Sequence, residues 1–236
     1  MKRIKHRTIY FDELDSTNDY VKGLRSKKEN LIVIAARQTQ GRGTKGRSFN
    51  SECGGVYLSR LTFHEQLPAA ESFKIMAGAA VAVCKTLEQY KLAPKIKWVN
   101  DIHVNGKKIC GILIENVFSG GFVESSVVGI GVNVHNELPE ALQEIATSIF
   151  AATGKKISVK SVAKSLIKEL GKDYGMDEYR SYLGYMGEYA TILIGNERVH
   201  GRLVSVDDEG GLLAEIDGQT RRFAAAEVSV KMGDIS

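Results

Sequence analysis

The spacing of hydrophobic positions changes several times along this chain, and each change marks an element. Arg7–Phe11 (RTIYF) reads as a short strand, and Leu31–Gln38 (LIVIAARQ) is a β-rich run of strand length. Between them an amphipathic run extends from Ser16–Thr17–Asn18 to about Lys28, and Ser16 with Asp19 three positions on predicts a capping box. Val56–Phe63 alternates apolar and polar residues, the pattern of a half-buried strand. Ser72–Tyr90 is Ala-rich with Phe73, Met76, Ala77, Ala80, Val83 and Leu87 at helical spacing, which predicts a buried helix.

Ile96–Trp98 opens a further strand. Asn105-Gly106 between two β-like runs is a strong hairpin signal, because both residues tolerate the positive φ that a two-residue turn requires. Cys110–Val117 and Val123–Val134 continue the sheet around a Ser-Gly-Gly turn. Leu138–Met186 reads as mostly helical, with Ser158 before the clearest helix. From Tyr189 the runs TILIG, RVHGRLVSV, GLLAEID and TRRFAA, joined by Gly, Asn and Asp turns, predict a small β-barrel of about 45 residues. The class is therefore α+β, a mixed sheet packed with helices (residues 1–187) followed by an all-β module (residues 188–236).

Composition narrows the function more by exclusion than by assertion. The 236 residues, 43% of them hydrophobic, suffice for one full core and a small second module. A net charge of +4 suits anionic small molecules or an acidic partner and does not by itself indicate nucleic acid. Cys53, Cys84 and Cys110 form no CxxC pair and read as small buried apolar residues. His6, His64, His103, His135 and His200 lack metal-ligand spacing and read as surface or core residues, so no protein metal site is expected. The N-terminus has no apolar signal core, and the longest apolar stretch, near Ile75–Cys84, is too short to span a bilayer. A cytoplasmic protein with no membrane association is expected.

Two segments carry chemistry. Gly41–Arg47 (GRGTKGR) holds three glycines and three cations in seven residues. It matches GxGxxG and nearly matches GxxxxGKS, but both of those motifs need a helix to open directly after the glycines. Here Ser48–Gly55 leads into a strand, so neither nucleotide-binding fold is predicted. The physical content survives: glycines let backbone N–H groups approach an anion, and Arg42, Lys45 and Arg47 can neutralise phosphate oxygens. Three clustered cations without a partner repel, so the loop is expected to be mobile when empty and ordered by ligand.

The second segment is the hairpin. Lys97–Asp101 (KWVND) ends one strand, and Lys108–Glu115 (KICGILIE) returns beside it, bringing Asn100 and Asp101 near Lys108. Period-two alternation places Lys108 on one face with Cys110, Ile112 and Ile114. A lysine on so apolar a face reads either as a strand-end residue reaching for solvent or as a fixed ammonium aimed at a ligand, with Gly111 leaving room for it.

Taken together, these segments resemble the catalytic domain of biotin–protein ligases, whose hallmarks are a GRGRxGR-type loop and a KWPND strand followed by K-x-x-G-I-L-x-E. Further matches are Asp15-Ser-Thr-Asn18, Gln38 and Gly129-Ile-Gly-Val-Asn133, and the C-terminal module resembles the family's SH3-like barrel. The resemblance covers almost the whole chain. Thr44 replaces a frequent arginine, Val99 the usual proline and Phe49 a frequent tryptophan, so a contact made through that guanidinium does not carry over while Phe49 keeps an aromatic face. Family members that are also repressors carry an N-terminal DNA-binding domain, for which there is no room before Thr8, so no DNA binding is expected.

The resemblance implies a two-step, ATP-dependent reaction: biotin is activated as biotinyl-5′-AMP, then transferred to a lysine of a biotin carboxyl carrier protein or acceptor domain. It implies Lys108 and Arg42 at the reacting centre and Asp101 orienting or deprotonating the incoming lysine. Biotin would be held by Ser16, Thr17, Asn18, Gln38, Arg42, Gly43, Thr44, Lys108, Gly111 and Gly129. ATP or the adenylate would meet Arg42, Lys45, Arg47, Phe49, Asn100, Lys108 and Asn133. Mg²⁺ would bridge the phosphates through substrate oxygens. Family members include monomers and homodimers, and both stay open here. The alternatives are a lipoate–protein ligase of related fold, against which the two motif segments speak, and a noncatalytic binding protein. The barrel segment argues against a base-stacking platform, since its aromatics are only Tyr189 and Phe223.

Overall fold

A computed structural model describes residues 5–195, 197–225 and 228–232. The chain runs β1 (Arg7–Leu14), α1 (Thr17–Gly23), β2 (Leu31–Gln38), β3 (Gly55–Pro68), α2 (Phe73–Glu88), β4 (Lys95–Lys97), β5 (Asp101–Val104), β6 (Lys107–Ser119) and β7 (Phe122–Asn133). Three short helices follow, α3 (Ile149–Thr153), α4 (Val159–Leu170) and α5 (Met176–Tyr182), then strands β8 (Tyr189–Ile194), β9 (Glu197–Val206), β10 (Leu212–Ile216), β11 (Gln219–Phe223) and β12 (Val228–Met232). The first seven strands form one mixed sheet in the order β1-β2-β3-β7-β6-β5-β4, in which β1 and β2 are parallel and the other neighbours antiparallel. The last five form an antiparallel sheet in the order β11-β10-β9-β8-β12. The fold is α+β, as the hydrophobic pattern predicts.

The two faces of the large sheet have different fates. Ile32, Ile34, Val56, Leu58, Cys110, Ile112, Val128, Ile130 and Val132 point to one face and join the alanines of α2 and Val162 and Leu166 of α4 in the main core. Small alanines bring α2 close to the strands, so dispersion contacts accumulate over its whole length. The opposite face buries a smaller cluster, Leu31, Val33, Leu61 and Val127, beneath Val21 of α1. The expectation that Val56–Phe63 is half-buried is therefore corrected: Val56 to Leu61 is buried but for Arg60, because both faces of β3 are covered. Arg60 itself reaches the C-terminal carbonyl of α4, donating to Leu170 O at 2.5 Å, where a cation suits the helix dipole.

Local signals mostly hold, with informative exceptions. Asn105 and Gly106 adopt φ of 51° and 77°, and Val104 pairs with Lys107 across them, giving the predicted two-residue hairpin. Helix α1 ends at Gly23 rather than Lys28, and a 3₁₀ turn takes Arg25–Lys27. Residues 138–148 hold only one 3₁₀ turn, Glu140–Leu142, where helix was expected. Ser16 accepts from Asp19 N and so caps α1. The reciprocal half of the expected box is replaced: the Asp19 carboxylate pairs instead with Lys22 and Arg42. Cys84 and Cys110 are buried as expected, whereas Cys53 is exposed. No helix among the described residues is long and apolar enough to cross a membrane.

Candidate active site

A β-bulge decides where the hairpin lysine points. Ile102 pairs with Cys110, but His103 pairs with Lys108, so β6 spends two residues where β5 spends one and Ile109 is the extra residue. Because side chains alternate strictly along a regular strand, one inserted residue reverses the phase. Lys108 therefore leaves the face of Cys110, Ile112 and Ile114, where uninterrupted alternation places it, and joins Gly111 and Leu113 on the other. The expectation is corrected, and the correction moves the ammonium out of the core into a cavity.

That cavity, about 620 Å³, opens on the α1 side of the sheet. Its floor is built from missing side chains. Gly111 of β6 pairs with Gly131 of β7, and Leu113 pairs with Gly129, so three glycines lie where strands would otherwise project β-carbons. Each is filled by a neighbour: a β-carbon on Gly129 would collide with the Asn18 amide, one on Gly131 with the Phe49 ring, and one on Gly111 would lie 3.2 Å from Lys108 Nζ. Gly111 thus leaves room for the lysine, as expected. Gly129 acts by admitting Asn18, which sequence alone does not show.

One end of the cavity is polar and tightly bonded. Gln38 Oε1 accepts from Thr17 N at 2.8 Å, and Gln38 Nε2 donates to Ser51 Oγ at 2.9 Å. Ser59, fully buried, bonds Thr17 Oγ1 at 2.7 Å and Asn18 Oδ1 at 2.5 Å. Asn18 Nδ2 donates to Glu115 at 3.0 Å. Ser16, Thr17, Asn18 and Gln38 are brought together here as the sequence reading expects. Ser51, Ser59 and Glu115 were missed, since only the sheet register and the approach of α1 place them there.

The other end is cationic. Lys108 Nζ meets Asp101 Oδ1 at 2.7 Å and lies 5.9 Å from the Phe49 ring centroid. Lys97, also on this wall, was missed as a site residue; burial, with the Lys108 and Arg47 charges, holds its ammonium below the usual lysine range, opposed by Asp101. Loop 41–47 folds as a small hairpin over the entrance, with Gly43 N bonded to Arg47 O at 2.7 Å and Arg42 bridged to Ser48. Arg47 donates to Thr44 O and Oγ1, both at 3.3 Å. Arg42 Nε pairs with Asp19 at 2.9 Å, which corrects the expectation that the loop cations lack a partner. Gly43 and Thr44 line the cavity, and the Lys45 side chain lies outside what the structure describes.

The remaining predicted residues are present but engaged. Asn100 Nδ2 donates to Ile112 O at 2.7 Å, and Asn133 bonds Thr147 O and Asn136 at 3.0 and 3.1 Å while still lining the cavity. His103 is no ordinary core residue: it lines the cavity, contacts Tyr185 OH at 2.9 Å, and burial, with the nearby Lys97 charge, lowers its pKa to about 4. Leu138, Leu142 and Ile145 add an apolar rim, with Ile145 exposed. From behind, the β9–β10 turn and helix α5 brace the β4–β5 connection. Trp98 Nε1 donates to Gly210 O at 3.1 Å, Tyr179 OH donates to Val99 O at 2.9 Å, and the Trp98–Val99 peptide is cis.

A glycine-floored slot with one hydrogen-bonding end and one cationic end, set in a seven-stranded mixed sheet, suits a ligand that is polar at one end and anionic at the other. Residues 10–133 match the biotin/lipoate A/B protein ligase family, and residues 187–231 match the biotin protein ligase C-terminal domain. The chain belongs to the biotin/lipoate A/B protein ligase family. Within it, the chain is similar to the bifunctional ligase/repressor BirA of Bacillus subtilis, 32% identical over 244 residues covering 94% of this chain and 73% of that protein. It is 29% identical to the biotin–[acetyl-CoA-carboxylase] ligase of Paracoccus denitrificans, over 91% of this chain and 96% of that one. Among solved structures, the biotin protein ligase from Aquifex aeolicus in complex with biotin and ATP superposes with a TM-score of 0.78 at 29% identity, covering 97% of this chain and 99% of the other.

Proposed function

We propose that this chain is an ATP-dependent biotin–protein ligase that makes biotinyl-5′-AMP and transfers the biotinyl group to a lysine of a biotin carboxyl carrier protein or acceptor domain. The observation that carries the reading is the bulge-turned Lys108, which lines one glycine-floored cavity with Arg42 and the loop, in a chain whose relatives include named biotin–[acetyl-CoA-carboxylase] ligases. The ureido ring of biotin suits the Ser16–Thr17–Asn18–Gln38 end, and its carboxylate suits the Lys108 and Arg42 end.

In the first step a biotin carboxylate oxygen bonds to the α-phosphorus of ATP and the bond to pyrophosphate breaks. Two anions must approach each other, and at ~4 Å their repulsion is about 4 kcal/mol at an effective dielectric of 20. Lys108 and Arg42 offset it at the reacting centre, with Lys97 beside them; Arg47 and Lys45 serve the departing phosphates. Phe49 offers a ring to adenine, and Asn100 and Asn133 border that region. Mg²⁺ would be carried mainly by the phosphates, whose charge it would screen. In the second step the acceptor amine attacks the acyl carbon, the bond to AMP breaks, and Asp101 orients or deprotonates the amine. Closure of Gly41–Arg47 excludes water from the mixed anhydride.

This reading assigns the catalytic unit to residues 1–187 and a C-terminal unit to 188–236, supported by the C-terminal family match that begins at residue 187 and by the separate five-stranded sheet. Acceptor mass after incubation with biotin, ATP and Mg²⁺ tests it. A gain of one biotinyl group is expected; no gain with biotin but a gain with lipoate refutes it.

A further inference from the structure

Asp19 reads in the sequence as half of a capping box, yet its carboxylate is spent elsewhere. One oxygen meets Lys22 Nζ at 2.6 Å and the other meets Arg42 Nε at 2.9 Å. Lys22 also meets Glu115 at 2.8 Å, and Glu115 in turn accepts from Asn18 at 3.0 Å. The chain Asn18–Glu115–Lys22–Asp19–Arg42 thus runs outside the cavity from its hydrogen-bonding end to its cationic end. Glu115 and Lys22 are only partly exposed, and Lys22 is held above the usual lysine range by its Asp19 and Glu115 bonds, which outweigh the opposing effect of burial.

An arginine on a glycine-rich loop has little to fix it, because glycine leaves the backbone many conformations and the side chain has four rotatable bonds. A carboxylate on Nε restrains the plane of the guanidinium, and Arg42 lines the cavity. We infer that Asp19 is a positioning residue for ligation: it orients Arg42 for the biotin carboxylate and, through Lys22 and Glu115, ties that orientation to Asn18 at the other end. The inference rests on the biotin-ligase reading above and adds a residue to it.

The test is a double-mutant cycle read by biotin binding without ATP and by separate KM values for biotin and ATP. Asp19→Asn keeps the shape and the backbone N–H that Ser16 caps. It is expected to weaken biotin binding about tenfold and raise the biotin KM similarly, with the ATP KM and melting temperature little changed. In an Arg42→Ala background the same substitution is expected to change biotin binding less than twofold, because the group it positions is gone. Asp19→Glu, which restores the charge, is expected to recover part of the loss. An equal loss in both backgrounds, no loss in the native background, or a fall in melting temperature with both KM values moving together overturns the inference. Failure of the native chain to biotinylate an acceptor refutes the function itself and is seen before any variant is made.

Discussion

Replacing Lys108 with alanine tests the reacting centre most directly. Lys108 and Asp101 form a 2.7 Å ion pair, 34% and 25% exposed. At ~4 Å from the biotin carboxylate an ammonium contributes about 4 kcal/mol at an effective dielectric of 20. Exposure of about a third of the side chain lets solvent screen this, so about 2–3 kcal/mol is expected to survive, on the order of a hundredfold in rate. The loss has two parts, since removing Lys108 also leaves Asp101 as an uncompensated anion facing another anion. Lys108→Ala with Asp101→Asn is therefore expected to be faster than Lys108→Ala alone by several-fold. The assay is single-turnover adenylate formation followed by pyrophosphate release, because that half-reaction involves no acceptor amine and so does not depend on Asp101 as a base. A Lys108→Ala rate within about threefold of native, or a double variant no faster than the single, refutes the electrostatic reasoning.

Two further predictions follow from the cavity wall. Gly129→Ala drives a methyl group into the Asn18 amide and breaks its bonds to Ser59 and Glu115, which should raise the biotin KM by one to two orders of magnitude, at roughly 1–1.5 kcal/mol per bond, while the ATP KM holds; equal changes in both would refute it. His103 is held neutral with a folded pKa of about 4 against about 6.5 unfolded. The unfolded chain therefore binds the extra proton between those values, so stability is lost as pH falls from about 6.5 toward 4, by up to about 3 kcal/mol, and His103 adds no pH dependence above that window. Urea midpoints at pH 7 and 4.5 should show a smaller acid loss in His103→Phe; an unchanged loss removes His103 from the account.

What the chain shows before folding is what depends on near neighbours. The Asn105-Gly106 turn, the Ser16 cap, the Ala-rich α2 and the order of the GRGTKGR, KWVND and KICGILIE segments are local properties, and they suffice for the α+β class and for most of the cavity residues. The polar end was legible through the resemblance, in which Asp15-Ser-Thr-Asn18 and Gln38 match the family's segments. Ser59 and Glu115 were not, because nothing within a few positions of them signals a ligand, and only the register Leu113–Gly129–Ser59 and the approach of α1 bring them to one place; Lys97 was missed at the opposite wall, where its pairing with Asp101 sets it beside Lys108.

The division is sharpest at Lys108 and Asp19. Sequence determined that a lysine stands on the returning strand and an acid three residues after a cap. Alternation then placed Lys108 among Cys110 and Ile112, in the core, because a period of two assumes that every residue finds a partner across the ladder. Tertiary structure decided otherwise, through the one unpaired residue, Ile109, that reverses the phase. Asp19 likewise had the Ser16 backbone N–H within reach; one of its oxygens meets the neighbouring Lys22 instead, and the other meets Arg42, a cation 23 positions away. Periodicity and capping act within a turn or two of chain. Which face a strand shows, and which charge a carboxylate meets, is set by the packing of segments far apart in sequence.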